Sequence, residues 1–425
     1  MTEKKSNFNM FLLLWSGELI ASIGSGLTAF GLGIYVFQQT GLASSVSLIT
    51  LLAFLPNMLL TAPAGVLADR YDRRLLMILG DGLSALGLVF ILFFMMTTGS
   101  ASLSVIAIGV AISSVFTSLL EPSYRATITD LLTVEEFSKA SGLVQLAGSA
   151  KFLISPILAG FLLARFDISL LLIIDICTLF LTILASLVVK KNLVSKAREK
   201  TQSFIKDFKD GWKALVENRG LVILLLLSSL ITFFIGFIQT LSTPLLLAFT
   251  TPKMIGSIET FAALGMLISS LFLGMKEIKK GFVKMLVISL FCAGLCISIF
   301  GLRENLVLIA ISGFFFFSCL PFANTAMDFL VRTNIDNEQQ GRIWGLMDPI
   351  SSFGYIIAYA VSGLLADFVF RPLLLEGGLL AESLGTIFGI GSGRGTGLLI
   401  FVSGIFLSLT ALLLLVSKSL RKLES

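Results

Sequence analysis

The chain has 425 residues, of which 56% are hydrophobic before its 38 glycines are counted and only 13% are charged, whereas a soluble domain is nearly half apolar and about a quarter charged. That excludes a water-soluble globule, and four cysteines among long apolar blocks exclude a secreted disulfide scaffold. The net charge of +5 does not point to nucleic acid, because the basic residues are scattered between apolar blocks rather than gathered on one face.

At roughly 20 apolar residues per helical span, the apolar content fills about twelve spans, so the chain reads as an all-α polytopic membrane protein. In chain order the apolar stretches fall near 10–37, 43–67, 75–98, 102–124, 138–165, 168–189, 221–248, 254–275, 281–301, 305–331, 340–369 and 396–417. The first follows Lys4 and Lys5 but is too long for a signal peptide and closes without a small-residue cleavage site. Cys177, Cys292, Cys296 and Cys319 all lie inside spans, and with no histidine in the chain they read as small core residues, with no metal and no cofactor implied.

Counting from a cytoplasmic N-terminus, the inside segments hold 24 basic residues and the outside loops only Lys253, Arg303, Arg371 and Arg394. The positive-inside rule then puts both termini in the cytoplasm. Residues 190–220, the longest charged stretch, separate spans 1–6 (residues 1–189) from spans 7–12 (221–425) and read as a linker. Its Phe204, Phe208, Trp212 and Leu215, with lysines between, fit an amphipathic helix on the inner membrane face; a solvated connector fits equally. A second long loop, 370–395, is external and apolar and is expected to tuck against the outer surface.

The two halves repeat. Span 5 has Gly142-Leu143 and then Gly160, span 11 has Gly345-Leu346 and then Gly363, and both glycine separations are 18 residues. Pro122 precedes Asp130-Leu131-Leu132 much as Pro321 precedes Asp328-Phe329-Leu330. Two pseudo-symmetric six-helix bundles in parallel orientation are the architecture that rocks about a central site.

The loop between spans 2 and 3 reads Gly65-Val66-Leu67-Ala68-Asp69-Arg70-Tyr71-Asp72-Arg73-Arg74. Gly65 permits close helix approach, Asp69 suits the start of a neighbouring helix, and Arg70, Arg73 and Arg74 suit an anionic inner surface. This loop resembles the signature of the major facilitator superfamily, G-x-L-A-D-R-x-G-R-R, with Asp72 in place of the glycine. That departure is similar to the macrolide-efflux type of transporter, as are Trp15-Ser16-Gly17, Gly80-Asp81 and Glu121-Pro122-Ser123. The resemblance covers nearly the whole chain. It implies a drug:proton antiporter that exports lipophilic compounds across a bacterial inner membrane, a monomer working in the lipid bilayer with protons and a small-molecule substrate, helped by an ABC-type partner. Gly148, Ser155, Pro156 and Gly160 resemble the superfamily's antiporter signature, although Ser155 and Ala159 stand where glycines are expected; a purely structural kink fits the same residues.

No catalytic constellation or nucleotide-binding loop is present, so the protein is not read as an enzyme and energy must come from an ion gradient unless transport is downhill. Ionisable residues inside spans are costly and usually functional. In the superfamily that the loop resembles, spans 1, 4, 7 and 10 line the cavity and spans 2, 5, 8 and 11 gate it. Glu18 in span 1 is the first candidate proton carrier, with Lys151 in span 5 as its partner and Glu121 and Asp348 as further candidates; a fixed ion pair fits Glu18 and Lys151 too. Asp81 and Asp175 read as structural ties within their own bundle. Gln145, Gln239, Phe314, Phe317, Asn324, Tyr355 and Tyr359 are the candidate substrate-cavity residues. Two rival functions remain open at this point: a lipid or lysolipid translocator on the same fold, and a non-transporting membrane protein that binds a peptide and confers immunity.

Overall fold

The computed structural model describes residues 7–192, 216, 219–276, 278, 280–335, 337–416, 420 and 423. Backbone N–H and C=O groups cannot be left unpaired in hydrocarbon, so each apolar stretch closes its hydrogen bonds on itself as a helix. The first half contains α1 (Phe8–Thr40), α2 (Ala43–Arg70), α3 (Arg73–Thr98), α4 (Leu103–Thr117), α5 (Leu120–Leu131), α6 (Phe137–Leu153), α7 (Ser155–Leu163) and α8 (Ile168–Asn192). The second contains α9 (Arg219–Leu247), α10 (Pro252–Met275), α11 (Phe282–Leu302), α12 (Leu306–Thr333), α13 (Asn337–Leu364), the short α14 (Arg371–Leu373) and α15 (Gly385–Phe388), and α16 (Arg394–Val416). Among the described residues twelve spans are long and apolar enough to cross a membrane.

Two spans that read as continuous in the sequence are divided. Span 4 breaks at Ser118-Leu119 between α4 and α5, and span 5 breaks at Ile154 between α6 and α7. The cause is the same in both. Pro122 and Pro156 lack the N–H that would bond to the carbonyl four residues back, and their rings crowd that carbonyl. Span 4 also runs on to Leu131 rather than ending at 124, because its polar continuation keeps the helix going beyond the apolar stretch. The amphipathic reading of 204–215 lies outside the described residues.

Helix ends are set by local chemistry. Asp72 accepts from the Arg74 N–H at 3.0 Å and caps α3, and Asn305 accepts from the Val307 and Leu308 N–H groups at 3.0 and 3.1 Å and caps α12. Gly41 and Gly99 close α1 and α3 in the left-handed conformation, at φ of 64° and 75°, which a side chain rarely tolerates.

The helices gather into two compact units. The first holds α1, α2 from Leu48 onward, α3 to α8, and Pro252–Ser257 from the start of α10. The second holds Leu42–Ser47 at the start of α2, α9, α10 from Ile258, and α11 to α16. In the second unit, span 11 ends in a π-helical turn, Leu365–Phe370, from which Asp367 accepts the otherwise unpaired N–H groups of Ala43 and Ser44 at 3.1 and 2.7 Å.

The loop at 370–395 is folded rather than free. Leu374, Phe388 and Leu398 form a small core with Leu302, Phe370, Leu380, Leu384 and Phe401 around it. Arg394, only 2% exposed, pairs with Glu304 at 2.8 Å and donates to the Phe388 carbonyl at 3.2 Å.

Lipid offers apolar side chains no reason to prefer each other, so spans associate where small residues let backbones touch. In the second unit α11 and α16 cross antiparallel at two glycine pairs. A Cβ on Gly294 would stand 2.6 Å from the Gly404 carbonyl oxygen, and one on Gly397 would stand 2.6 Å from that of Gly301. We expect Gly301→Val to cost about 1–3 kcal/mol by overpacking. Thermal melting of the purified protein in detergent checks this, and an unchanged midpoint would show that the crossing tolerates separation.

Candidate functional site

Glu18 lies ten residues after the start of α1, about 15 Å along it at 1.5 Å per residue. It is half-buried. Further along the same helix, Gly24 and Gly26 open two gaps that neighbouring helices fill. A Cβ on Gly24 would meet Thr178 and, at 3.0 Å, the Asp175 Oδ1 of α8; one on Gly26 would meet Ser155 and, at 3.0 Å, the Lys151 Cγ of α6. Glycine at these two positions thus lets an acid and a base approach the α1 backbone side by side.

The charges of Glu121 and Lys151 act on Glu18, while Lys151 feels Asp175 ahead of Glu18. Lys151 and Asp175 both lie against α1, at Gly26 and Gly24. Asp81 of α3 accepts from Thr182 of α8 at 2.7 Å. Thr28 and Thr178 flank Asp175, yet its Oδ1 is buried without a hydrogen-bond partner. Asp81 thus joins α3 to α8, and Asp175 lies against α1 at Gly24, all within the first unit. An ion at the centre of a span costs about 2.5–3.5 kcal/mol. Three acids and one lysine together approach the whole stability of a domain, about 5–15 kcal/mol, so apolar packing alone does not explain them.

Glu121 is exposed and pairs with Arg125 at 2.6 Å, one turn along α5. Asp348 is exposed on α13, its carbonyl accepting from the Ser351 and Ser352 hydroxyls. It belongs to the second unit.

In the loop at 65–74 the hub is Arg73. It donates to Asp130 at 2.8 Å, to the Ala126 carbonyl at 3.1 Å and to the Ala68 carbonyl at 3.2 Å. Asp69 is 3.8 Å away, with its side chain 75% exposed. Arg70 is exposed and Arg74 buried. No neighbour lies within 4 Å of where a Cβ on Gly65 would stand, so the close helix approach expected there is absent. The same holds for Gly148. Gly160, by contrast, is pressed on by the Pro252 carbonyl at 2.7 Å, Gly256 abuts the Pro156 backbone, and Ser155 donates to the Ile23 carbonyl at 3.0 Å.

Of the candidate cavity residues, the structure joins three in the second unit. Tyr359 donates to Gln239 Oε1 at 2.8 Å and stacks on Tyr355 with ring centroids 5.8 Å apart. Phe314 packs against Phe261 of α10 at 5.3 Å and Phe317 against its neighbour Phe316 at 5.2 Å. Gln145, in the first unit, and Asn324, in the second, are exposed on their own helices.

A model of the Major Facilitator Superfamily matches residues 14–359. The chain belongs to that superfamily. Macrolide efflux protein A of Streptococcus pyogenes is 28% identical over 383 residues, which cover 86% of this chain and 91% of that protein. Multidrug resistance protein 2 of Bacillus subtilis (strain 168) is 24% identical over 391 residues, covering 88% and 94%. Among solved structures, nucleoside transporter NupG superposes with a TM-score of 0.74 at 16% identity, over 96% of this chain and 100% of its own, a likeness of fold alone. This member of the major facilitator superfamily is thus a multi-pass membrane protein and a secondary transporter of small molecules, not an enzyme.

The sequence reading of this major facilitator missed Glu259, a half-buried carboxylate seven residues into α10 whose Oε1 lies 3.5 Å from Ser242 Oγ. The signal was available. A lone charge in an apolar span is the feature that singled out Glu18, but Glu259 lies close to the start of its span and passes for a loop margin. Asp130 was visible as part of the repeat and not as the partner of Arg73.

The loop geometry ranks its residues. Arg73→Ala removes hydrogen bonds to two carbonyls and a carboxylate and should cost about 1.5–3 kcal/mol, whereas Asp69→Asn should stay within about 0.5 kcal/mol. Melting the two variants side by side checks the order; an equal or larger loss for Asp69→Asn would overturn it.

Proposed function

We propose that the chain exports lipophilic or amphiphilic compounds, drug-like or macrolide-like, in exchange for protons by alternating access. The observation that supports this reading is the set of charges on and against α1, with Asp175 and Lys151 packed where Gly24 and Gly26 leave room and Glu18 carried by the same helix. An antiporter needs a group that holds a proton on one side of the membrane and releases it on the other. A half-buried carboxylate with a movable cation nearby does so, because a proton and a lysine ammonium compete for the same negative charge. The sequence has no nucleotide-binding loop to supply energy in another way. The compound class rests on the two relatives whose names are those of a macrolide efflux protein and a multidrug resistance protein. The distribution of basic residues supports an orientation with both termini in the cytoplasm of a bacterial cell.

Glu18 is the proton carrier in this reading. Lys151 and Asp175 set how readily it ionises, and Asp81 relays through Thr182. The loop at 69–74 is the inner gate, and Asp69 acts there by finding a different partner in the other conformation. Asp69→Asn should therefore impair transport at an unchanged melting temperature, and full transport by that variant in proteoliposomes would remove Asp69 from the gate.

Glu18→Gln should lose uphill export driven by an imposed pH gradient while retaining downhill exchange, since the amide resembles the protonated acid and cannot cycle. Expression and melting temperature measured alongside separate this from a fixed ion pair, whose disruption destabilises the fold. Undiminished gradient-driven export would move the proton site to Asp175 or Asp81.

A further inference from the structure

We propose that Glu259, Ser242, Gln239, Tyr355 and Tyr359 form a binding site for a lipophilic organic cation, a protonated tertiary amine or a quaternary onium ion, within the second unit. The site deepens the export reading above and rests on it for its place in a transport cycle.

All five residues belong to one compact unit. Gly236 of α9 seats the tyrosine pair of α13, a Cβ there falling 3.2 Å from Tyr355 Cδ1 and 3.3 Å from Tyr359 Cε1. One turn on, Gln239 accepts the Tyr359 hydroxyl proton at 2.8 Å. A further turn on, Ser242 stands 3.5 Å from Glu259 Oε1, at the long limit for a hydrogen bond. Gln239 lies eight residues before the end of α9 and Glu259 seven residues after the start of α10. At 1.5 Å per residue both sit about 10–12 Å from the connection between those helices. A carboxylate, an amide and two stacked phenol rings therefore share one level inside the membrane.

Several other acids within or beside a span have a cation to answer them. Asp175 and Glu18 have Lys151, Asp130 has Arg73, and Glu304 has Arg394. Glu259 has no ion pair among the described residues and only the long contact to Ser242. A charge left so in a span is costly and marks a site, and its missing counterpart is a positive charge. The rings decide what kind. A compact hydrated metal ion would seek more oxygen ligands than one carboxylate, one hydroxyl and one amide supply. A diffuse organic cation is instead attracted to tyrosine faces within about 6 Å of their centroids and loses little hydration on entry. Gln239 is exposed and Glu259 half-buried, so both polar ends of the group can be reached, and the Gln239 amide N–H groups remain available to a carbonyl or ether oxygen on the same ligand.

Binding by the purified full-length protein in lipid nanodiscs is the test, with tetraphenylphosphonium as the cation and triphenylphosphine oxide as a neutral compound of similar bulk. Glu259→Gln should weaken tetraphenylphosphonium binding by about tenfold or more and leave triphenylphosphine oxide within about twofold, while Glu259→Asp keeps most of the cation affinity. Tyr355→Leu, which leaves the carboxylate in place, should lower cation affinity selectively as well, and so keeps the proposal falsifiable if Glu259→Gln fails to fold. Unchanged tetraphenylphosphonium binding in Glu259→Gln overturns the proposal. So does an equal loss for both compounds, which marks Glu259 as structural or as a proton site. Because binding is read without a gradient, failure of the export reading appears separately, as cells whose accumulation of either compound is unaffected by the chain although the purified protein binds.

Discussion

Hydrocarbon supplies no hydrogen bonds, and the rest of this structure follows from that constraint. It turns every apolar stretch into a helix and makes each exception local and answered. The broken ends at Ser118-Leu119 and Ile154 fall where Pro122 and Pro156 remove a donor. The first N–H groups of α2, which would otherwise be orphaned, are taken up by Asp367. The same constraint makes glycine the chief agent of packing. Backbones meet at Gly294 and Gly404, at Gly301 and Gly397, and at Gly87 and Gly109, because contact between backbones gains dispersion that leucine against lipid already has.

Charge follows the same logic, unevenly between the units. In the first unit the spans carry three acids and a lysine, Glu18, Asp81, Asp175 and Lys151. In the second, Glu259 stands beside Ser242, and a tyrosine pair is bonded to the Gln239 amide one turn along the same helix. The fold repeats while its ionisable groups do not. In the functional reading proposed here, the unit with Glu18 and Lys151 handles protons, and the unit with Glu259 and aromatic faces handles the transported compound. That division suits coupling, since two ligands influence each other only through conformations that both prefer unequally.

The signature loop shows how a motif's residues divide their labour. Asp72 starts α3, and Arg73 gathers the loop and α5 at Asp130. Asp69, the residue the motif emphasises, is exposed and only weakly attached. A side chain that a static structure leaves loosely held, in a loop otherwise tightly bonded, is suited to serve a second conformation.

The sequence by itself determined the class, the twelve spans, the repeat and the family, because each depends on residue type at short range or on a periodic apolar count. Glu18 and Lys151 were legible as charges in apolar runs, and Gln239, Tyr355 and Tyr359 as polar groups in spans. Only the tertiary structure decided which of them meet. Asp175 and Lys151 reached α1, the helix of Glu18, because glycines at 24 and 26 let helices distant in the chain close on it. Glu259 met Ser242, Tyr359 met Gln239 one turn away on the same helix, and Arg73 found Asp130 at a separation of 57 residues. Gly65 and Gly148, which share the composition of true packing glycines, turned out to face open space. The reason is physical: helix formation is settled by each segment's own backbone, whereas helix association in lipid is settled by which small surfaces and which charges come face to face, and no single span contains that information.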